Sequence, residues 1–129
     1  MIMTQENKEL LLKDICARLP YKVKVLCLRD FNHDWYNLEM VDIGDNEVYV
    51  TTYESYANRY VKIEEVKPYL FPFSSMTEEQ LKLFDGVFLP NGHVVASDFG
   101  FDYLNSIHVD YRGLIPMGLA IDATGLNIY

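Results

Sequence analysis

Four side chains in the second half of the chain have the types and spacing that chemistry would need. Asp98 and Asp102 are four residues apart, so one helical turn stacks them on the same face. His108 and Asp110 follow, with only Val109 between them. An imidazole among carboxylates is an oxygen–nitrogen donor set suited to a divalent ion. That would make a metal-dependent enzyme using Asp98, Asp102 and His108. Each residue also has a plainer use: Asp98 as a helix cap, Asp102 as a solvated charge, Asp110 as the opening of a turn. No metal-binding motif is matched, so the plainer uses weigh more. No catalytic residue, cofactor or metal is therefore assigned.

Other nucleophiles are less well placed. Cys16 falls on an apolar helix face and Cys27 inside a strand, and neither has the electropositive surroundings that activate a thiolate. Ser74, Ser75, Ser97 and Ser106 lack the G-x-S-x-G elbow. There is no Walker A sequence, no G-x-G-x-x-G and no HExxH. His33 and His93 sit in loops and read as surface residues.

The aromatic content says more. Ten Tyr and seven Phe are present, and Tyr49, Tyr53, Tyr56, Tyr60, Tyr69 and Phe71 exceed what a small core needs. Tyrosine is favoured at recognition surfaces because it pairs a rigid ring with a polar tip. The run Tyr-Glu-Ser-Tyr-Ala-Asn-Arg-Tyr makes Tyr53, Tyr56 and Tyr60 the candidate protein-binding residues. The alternative is tyrosines half-buried around a small barrel.

The elements that must position these residues can be read from periodicity. Leu11, Leu12, Ile15, Cys16 and Leu19 share a helical face, which predicts a helix over Thr4–Leu19 stopped by Pro20. Alternation then predicts strands at Tyr21–Arg29, Trp35–Ile43, Glu47–Thr52 and Tyr60–Val66, with Val23, Val25, Cys27, Leu38, Met40, Val48, Val50, Val61 and Ile63 lining one core. Pro68–Phe73 reads as a proline-bounded connection tucked against the sheet. Thr77 and Gln80 have capping-box spacing, with Met76 and Leu81 placed as a hydrophobic staple. Pro90-Asn91-Gly92-His93 suits a hairpin turn between Val87–Leu89 and Val94–Ala96. Asp98–His108 reads as a helix capped by Ser97 or Asp98, and Leu114–Ala120 as one weak further turn. The tail Leu126–Tyr129 is apolar enough to dock. The expected fold is α+β over a single domain, 1–129. It has an N-terminal helix, a bent antiparallel sheet of four to five strands or an SH3-like small barrel, and two or more short C-terminal helices.

Charge narrows the partners. The 129 residues carry 11 basic and 19 acidic side chains, a formal charge of −8. Beyond Lys67 only Lys82 and Arg112 are basic. Gripping phosphates needs clustered Lys and Arg. Lys22, Lys24 and Arg29 offer at most a small strip, so no nucleic acid is expected as a partner. Two cysteines without CxxC spacing read as reduced thiols. The start resembles no signal peptide, and no apolar run reaches the ~20 residues that span a bilayer. A cytoplasmic protein with no membrane contact is expected.

Three segments carry a resemblance: Lys13–Tyr21, Pro68–Glu79, and Phe101–Asn105 continuing through Asp110–Ile115 to Gly118–Ala120. In these the chain resembles small uncharacterised proteins of prophages and other mobile elements in gut anaerobes. The resemblance implies no activity and no site residue; it favours an accessory role over metabolism. The expected function is a small non-catalytic module that binds another protein. The alternatives are the metal-dependent enzyme above and an acidic nucleic-acid mimic that inhibits a DNA-binding protein.

Overall fold

The computed structural model describes residues 3–28, 35–42, 44, 47–52 and 58–129. Helix α1 spans Gln5–Arg18, and Thr4 caps it by accepting the Asn7 N–H at 3.2 Å. Strands β1 (Lys24–Cys27), β2 (Tyr36–Asp42), β3 (Glu47–Thr52) and β4 (Asn58–Lys62) follow, and then β5 (Val66–Pro72). Helix α2 (Glu78–Leu83) precedes a separate hairpin of β6 (Gly86–Phe88) and β7 (Val94–Ala96). Helix α3 (Asp98–Ser106) leads to two short strands, β8 (Val109–Asp110) and β9 (Ile121–Asp122).

The fold is α+β. Its main sheet runs β4-β3-β2-β1-β5-β8, with β9 also on β5. Strands β1 to β5 pair antiparallel, whereas β8 and β9 pair with β5 in parallel, so the sheet is mixed. Among the described residues it does not close: closure needs the first and last strands to pair, and β4 bonds only β3. The small-barrel option is set aside on that ground.

Two expectations are corrected here. The segment Pro68–Phe73 is mostly strand β5, with β1, β8 and β9 all hydrogen-bonded to it. Leu28 N–H donates to the Glu65 carbonyl at 2.8 Å, and alternation from that bond turns Lys67 toward β1 and Pro68 away from it. Proline is tolerated because its missing N–H faces the edge that β1 does not use. The second correction is Met40, which is 53% exposed instead of lining the core. The β2–β3 register shifts between Leu38 and Met40, and an extra residue in one strand reverses the faces beyond it. Val23, Val25, Cys27, Leu38, Val48 and Ile63 are buried as expected, Val61 packs partly buried beside them, and the Val50 side chain lies outside the described residues.

That first core joins Leu11 and Ile15 of α1 to the sheet and to Leu114 and Leu119. A second cluster, Met76, Phe84, Leu104 and Val109, ties α2 and α3 to the hairpin. The capping box of α2 forms as its spacing predicts: Gln80 N–H donates to the Thr77 hydroxyl at 3.1 Å, and Thr77 N–H to Gln80 Oε1 at 2.9 Å. Met76 enters the second core while Leu81 stays exposed. Ser97 caps α3, accepting the Gly100 N–H at 3.1 Å. Residues 114–120 form turns, with Gly113 and Gly118 at positive φ, and not a further helix.

Candidate functional site

The structure disperses the carboxylates and imidazole that the sequence placed close together. Asp98 opens α3 on its exposed side. Asp102, one turn on, accepts a short hydrogen bond from the Tyr21 hydroxyl, which raises the Tyr21 pKa. Asp110 is buried and accepts three backbone N–H groups, from Arg112 (3.3 Å), Leu114 (3.0 Å) and Ile115 (2.9 Å). It thereby holds the following turn closed. Among the described residues no three His, Cys, Asp or Glu side chains assemble as a ligand set.

His108 leaves α3 with φ of 63°, a left-handed conformation uncommon for a residue with a side chain. Its ring turns to the C-terminal tail and stacks on Tyr129, with centroids 3.8 Å apart. Burial, reinforced by the positive charges of Arg18 and Lys24, lowers its pKa to about 4. A neutral imidazole follows near pH 7, held by packing and not by a carboxylate. Tyr129 completes the latch: its hydroxyl accepts the Lys24 N–H at 2.9 Å and donates to the Tyr69 carbonyl at 2.7 Å. Lys24 Nζ bonds the Ile128 carbonyl and lies 3.9 Å from the centre of the Trp35 ring. The tail docks as expected, but through the ring and hydroxyl of Tyr129 and the Ile128 carbonyl, with Leu126 left exposed, and Lys24 is withdrawn from any basic strip.

Sequence reading missed one charged cluster. Asp14 and Arg18 lie one turn apart on α1, and neither has exposed surface. Arg18 clasps Asp14 through Nε (2.9 Å) and Nη2 (3.1 Å) and donates from Nη2 to the Val109 carbonyl at 2.7 Å. Arg112 Nη1 reaches the same carboxylate at 2.7 Å. Both guanidinium groups lie over Tyr111, at 5.2 Å and 4.6 Å from its ring centre. The only signal was the spacing of Asp14 and Arg18 beside Leu11 and Ile15, which places both on the inward face. Their partners from residues 109–112 are distant in sequence, so this knot fastens α1 to β8 and the turn that follows it. The Asp14 carboxylate is saturated by the two guanidinium groups, whereas Arg18 Nη1 is buried without a hydrogen-bond partner among the described residues.

Tyr53 and Tyr56 lie outside the described residues, as does the side chain of Tyr60, whose backbone pairs with Tyr49 between β4 and β3. The described residues instead expose an apolar face elsewhere. Val87 and Val95 are direct cross-strand partners, 54% and 56% exposed. Leu83 at the end of α2 is 65% exposed, and Phe99 in the first turn of α3 is 83% exposed. Scattered single apolar residues are normal on a surface; the directly paired Val87 and Val95 on one side of a hairpin are a candidate contact site. Nearby, Pro72, Phe73, Val94, Tyr111, Ile115 and Pro116 line a largely apolar cleft of about 250 Å³. No helix among the described residues is long and apolar enough to cross a membrane. Compared with protein-family models, curated proteins and solved structures, the chain matches none.

Proposed function

We propose that this chain is a small non-catalytic module that binds another protein, working in the cytoplasm as an accessory factor of a mobile element. The observation that carries the reading is the Val87–Val95 pair, an apolar cross-strand pair turned outward from a hairpin whose other face is already packed. A two-stranded hairpin is marginal alone, and here Phe84, Phe88, Val94 and Ala96 anchor its inner side in the second core. The outer side is thus a rigid platform, which lowers the ordering cost of binding. Supporting it, of the residues with the best spacing for chemistry, Asp102 bonds Tyr21, Asp110 closes a turn and His108 stacks on Tyr129, while Asp98 stands apart from them on the exposed side of α3. The acidic charge and the commitment of Lys24 and Arg112 to internal contacts favour a protein partner over a nucleic acid.

The test is affinity capture from the native host with two double variants beside the wild type. Val87→Ser with Val95→Ser should lose the captured protein while its thermal midpoint stays near the wild-type value. Tyr53→Ala with Tyr56→Ala examines the tyrosine connection in the same way. Loss of partner only with the tyrosine variant moves the site to that connection; recovery by both well-folded variants removes the reading.

A further inference from the structure

We infer that the socket holding the Tyr129 side chain is a recognition site for the phenol of a tyrosine, and that the chain's own tail occupies it as a removable plug. The site is remote in sequence from Val87 and Val95 and does not depend on the reading built on them.

The socket begins where a strand ladder stops. Pairing of β1 with β5 runs Cys27–Val66, Leu26–Lys67 and Val25–Pro68, so the register would set Lys24 opposite Tyr69 next. The Leu28 N–H bond to the Glu65 carbonyl fixes the alternation, and by it Lys24 and Tyr69 fall on a hydrogen-bonded position. The Tyr129 hydroxyl stands between them, accepting the Lys24 N–H at 2.9 Å and donating to the Tyr69 carbonyl at 2.7 Å. One hydroxyl thus meets a donor from one strand and an acceptor from the other. A phenol satisfies both; a carboxylate or an ether lacks the proton that the carbonyl needs.

The walls select an aromatic ring. His108 stacks on Tyr129 with centroids 3.8 Å apart, Phe71 lies tilted at 5.7 Å, and Lys24 Nζ stands 5.5 Å from the ring centre. Lys24 and Phe71 belong to β1 and β5 and His108 follows α3, so the socket is built without the tail. Burial raises the pKa of the Tyr129 hydroxyl although 41% of the residue is exposed. The hydroxyl end is therefore the part withdrawn from water, and it is held as the neutral phenol.

The plug is lightly fastened. Beyond the buried Ala123, residues 124–127 are exposed, and the Leu126 N–H bond to the Ala123 carbonyl is local. Ile128 and Tyr129 carry the hydrogen bonds to the sheet, and Asn127 before them holds a left-handed φ of 55°. Few anchors and an exposed backbone mark a segment that opens at low cost. Phe71, which meets the Tyr129 ring, also lines a cleft of about 270 Å³ together with Thr124 and Gly125 of the tail. Withdrawal of the tail opens socket and cleft together.

The probe is 4-methylphenol, the tyrosine side chain cut at Cβ, titrated into the isotopically labelled full chain carrying Tyr129→Gly. It should bind saturably, raise the lowered thermal midpoint of that variant and move the amide resonances of Lys24, Tyr69, Phe71 and His108. Toluene and 4-methylanisole should bind about tenfold or more weakly, because each leaves the Tyr69 carbonyl without a donor. The wild type should show no such shifts at the same concentrations. Asn127→Pro keeps Tyr129 but imposes a negative φ, so the tail should leave and the same phenol should enter. Equal binding of toluene overturns phenol recognition. Absence of a saturable effect on Tyr129→Gly, or an unfolded variant that the phenol does not restore, overturns the site. Binding to Tyr129→Gly with Tyr129 still docked in Asn127→Pro overturns the removable plug.

Discussion

The imidazole of His108 lies almost flat on the ring of Tyr129, the planes 15° from parallel. The contact joins the end of α3 to the C-terminal tail, and the Tyr129 hydroxyl carries the connection on to Lys24 in β1 and Tyr69 in β5. A histidine that stacks in this way, with its Nδ1 buried and without a hydrogen-bond partner among the described residues, stays neutral at the expense of its basicity.

That neutrality predicts an acid sensitivity. The folded pKa of His108 is about 4 against an ordinary 6.5, so between those values the unfolded chain takes up a proton that the folded chain refuses. Its contribution is complete above about pH 6.5 and is lost as the pH falls toward 4. Thermal melts across this window should show the midpoint dropping more steeply for the wild type than for His108→Asn, which tolerates the positive φ. Superimposable profiles for the two proteins would remove His108 as the cause.

The buried ion cluster should be intolerant of losing its carboxylate. Asp14→Asn leaves the fully buried Arg18 guanidinium, and Arg112 beside it, facing a neutral amide. The expected cost is about 3–5 kcal/mol, read as a lower urea midpoint. Adding Arg18→Leu to the same protein should recover a large part of it, because the uncompensated charge is then gone.

The bulge in β2 separates two apolar residues that simple alternation would treat alike. Leu38→Ala should destabilise by about 2–5 kcal/mol, as expected for a core truncation. Met40→Thr should change stability by less than about 0.5 kcal/mol because the side chain is already in solvent. Comparable losses from both substitutions would contradict the register shift.

Gly100→Ala tests the contact between α3 and the hairpin. Alanine favours a helix over glycine by about 1 kcal/mol, which alone would stabilise α3. The Asp85 carbonyl occupies the space for the new methyl group, so the strand must move, and a net loss of about 1–3 kcal/mol is expected in denaturant unfolding. A gain in stability would show that the two segments are not pressed together.

Local chemistry determined much of this protein from the sequence alone. The caps at Thr4, Thr77 and Ser97, the hairpin around Gly92 and the buried set from Val23 to Ile63 depend on near neighbours and on a period of two or 3.6. Tertiary structure decided what depends on residues distant in the chain. Strand β5 was hidden because its two prolines read as punctuation until β1 supplied a partner on the edge where no proline N–H is needed. Met40 was misplaced because a bulge is a property of two strands together. The knot of Asp14 and Arg18 could not be assembled from sequence because its other members, Arg112 and the Val109 carbonyl, arrive some ninety residues later, separations of 98 and 91. Asp98, Asp102, His108 and Asp110 kept their spacing in sequence but not a common direction in space, since the positive φ at His108 turns one ring toward Tyr129 while Asp110 is drawn inward by three backbone amides. The apolar face at Val87 and Val95 had no sequence signature either: strand alternation gives each strand two faces, and only the packed second core determines which of them is left in solvent.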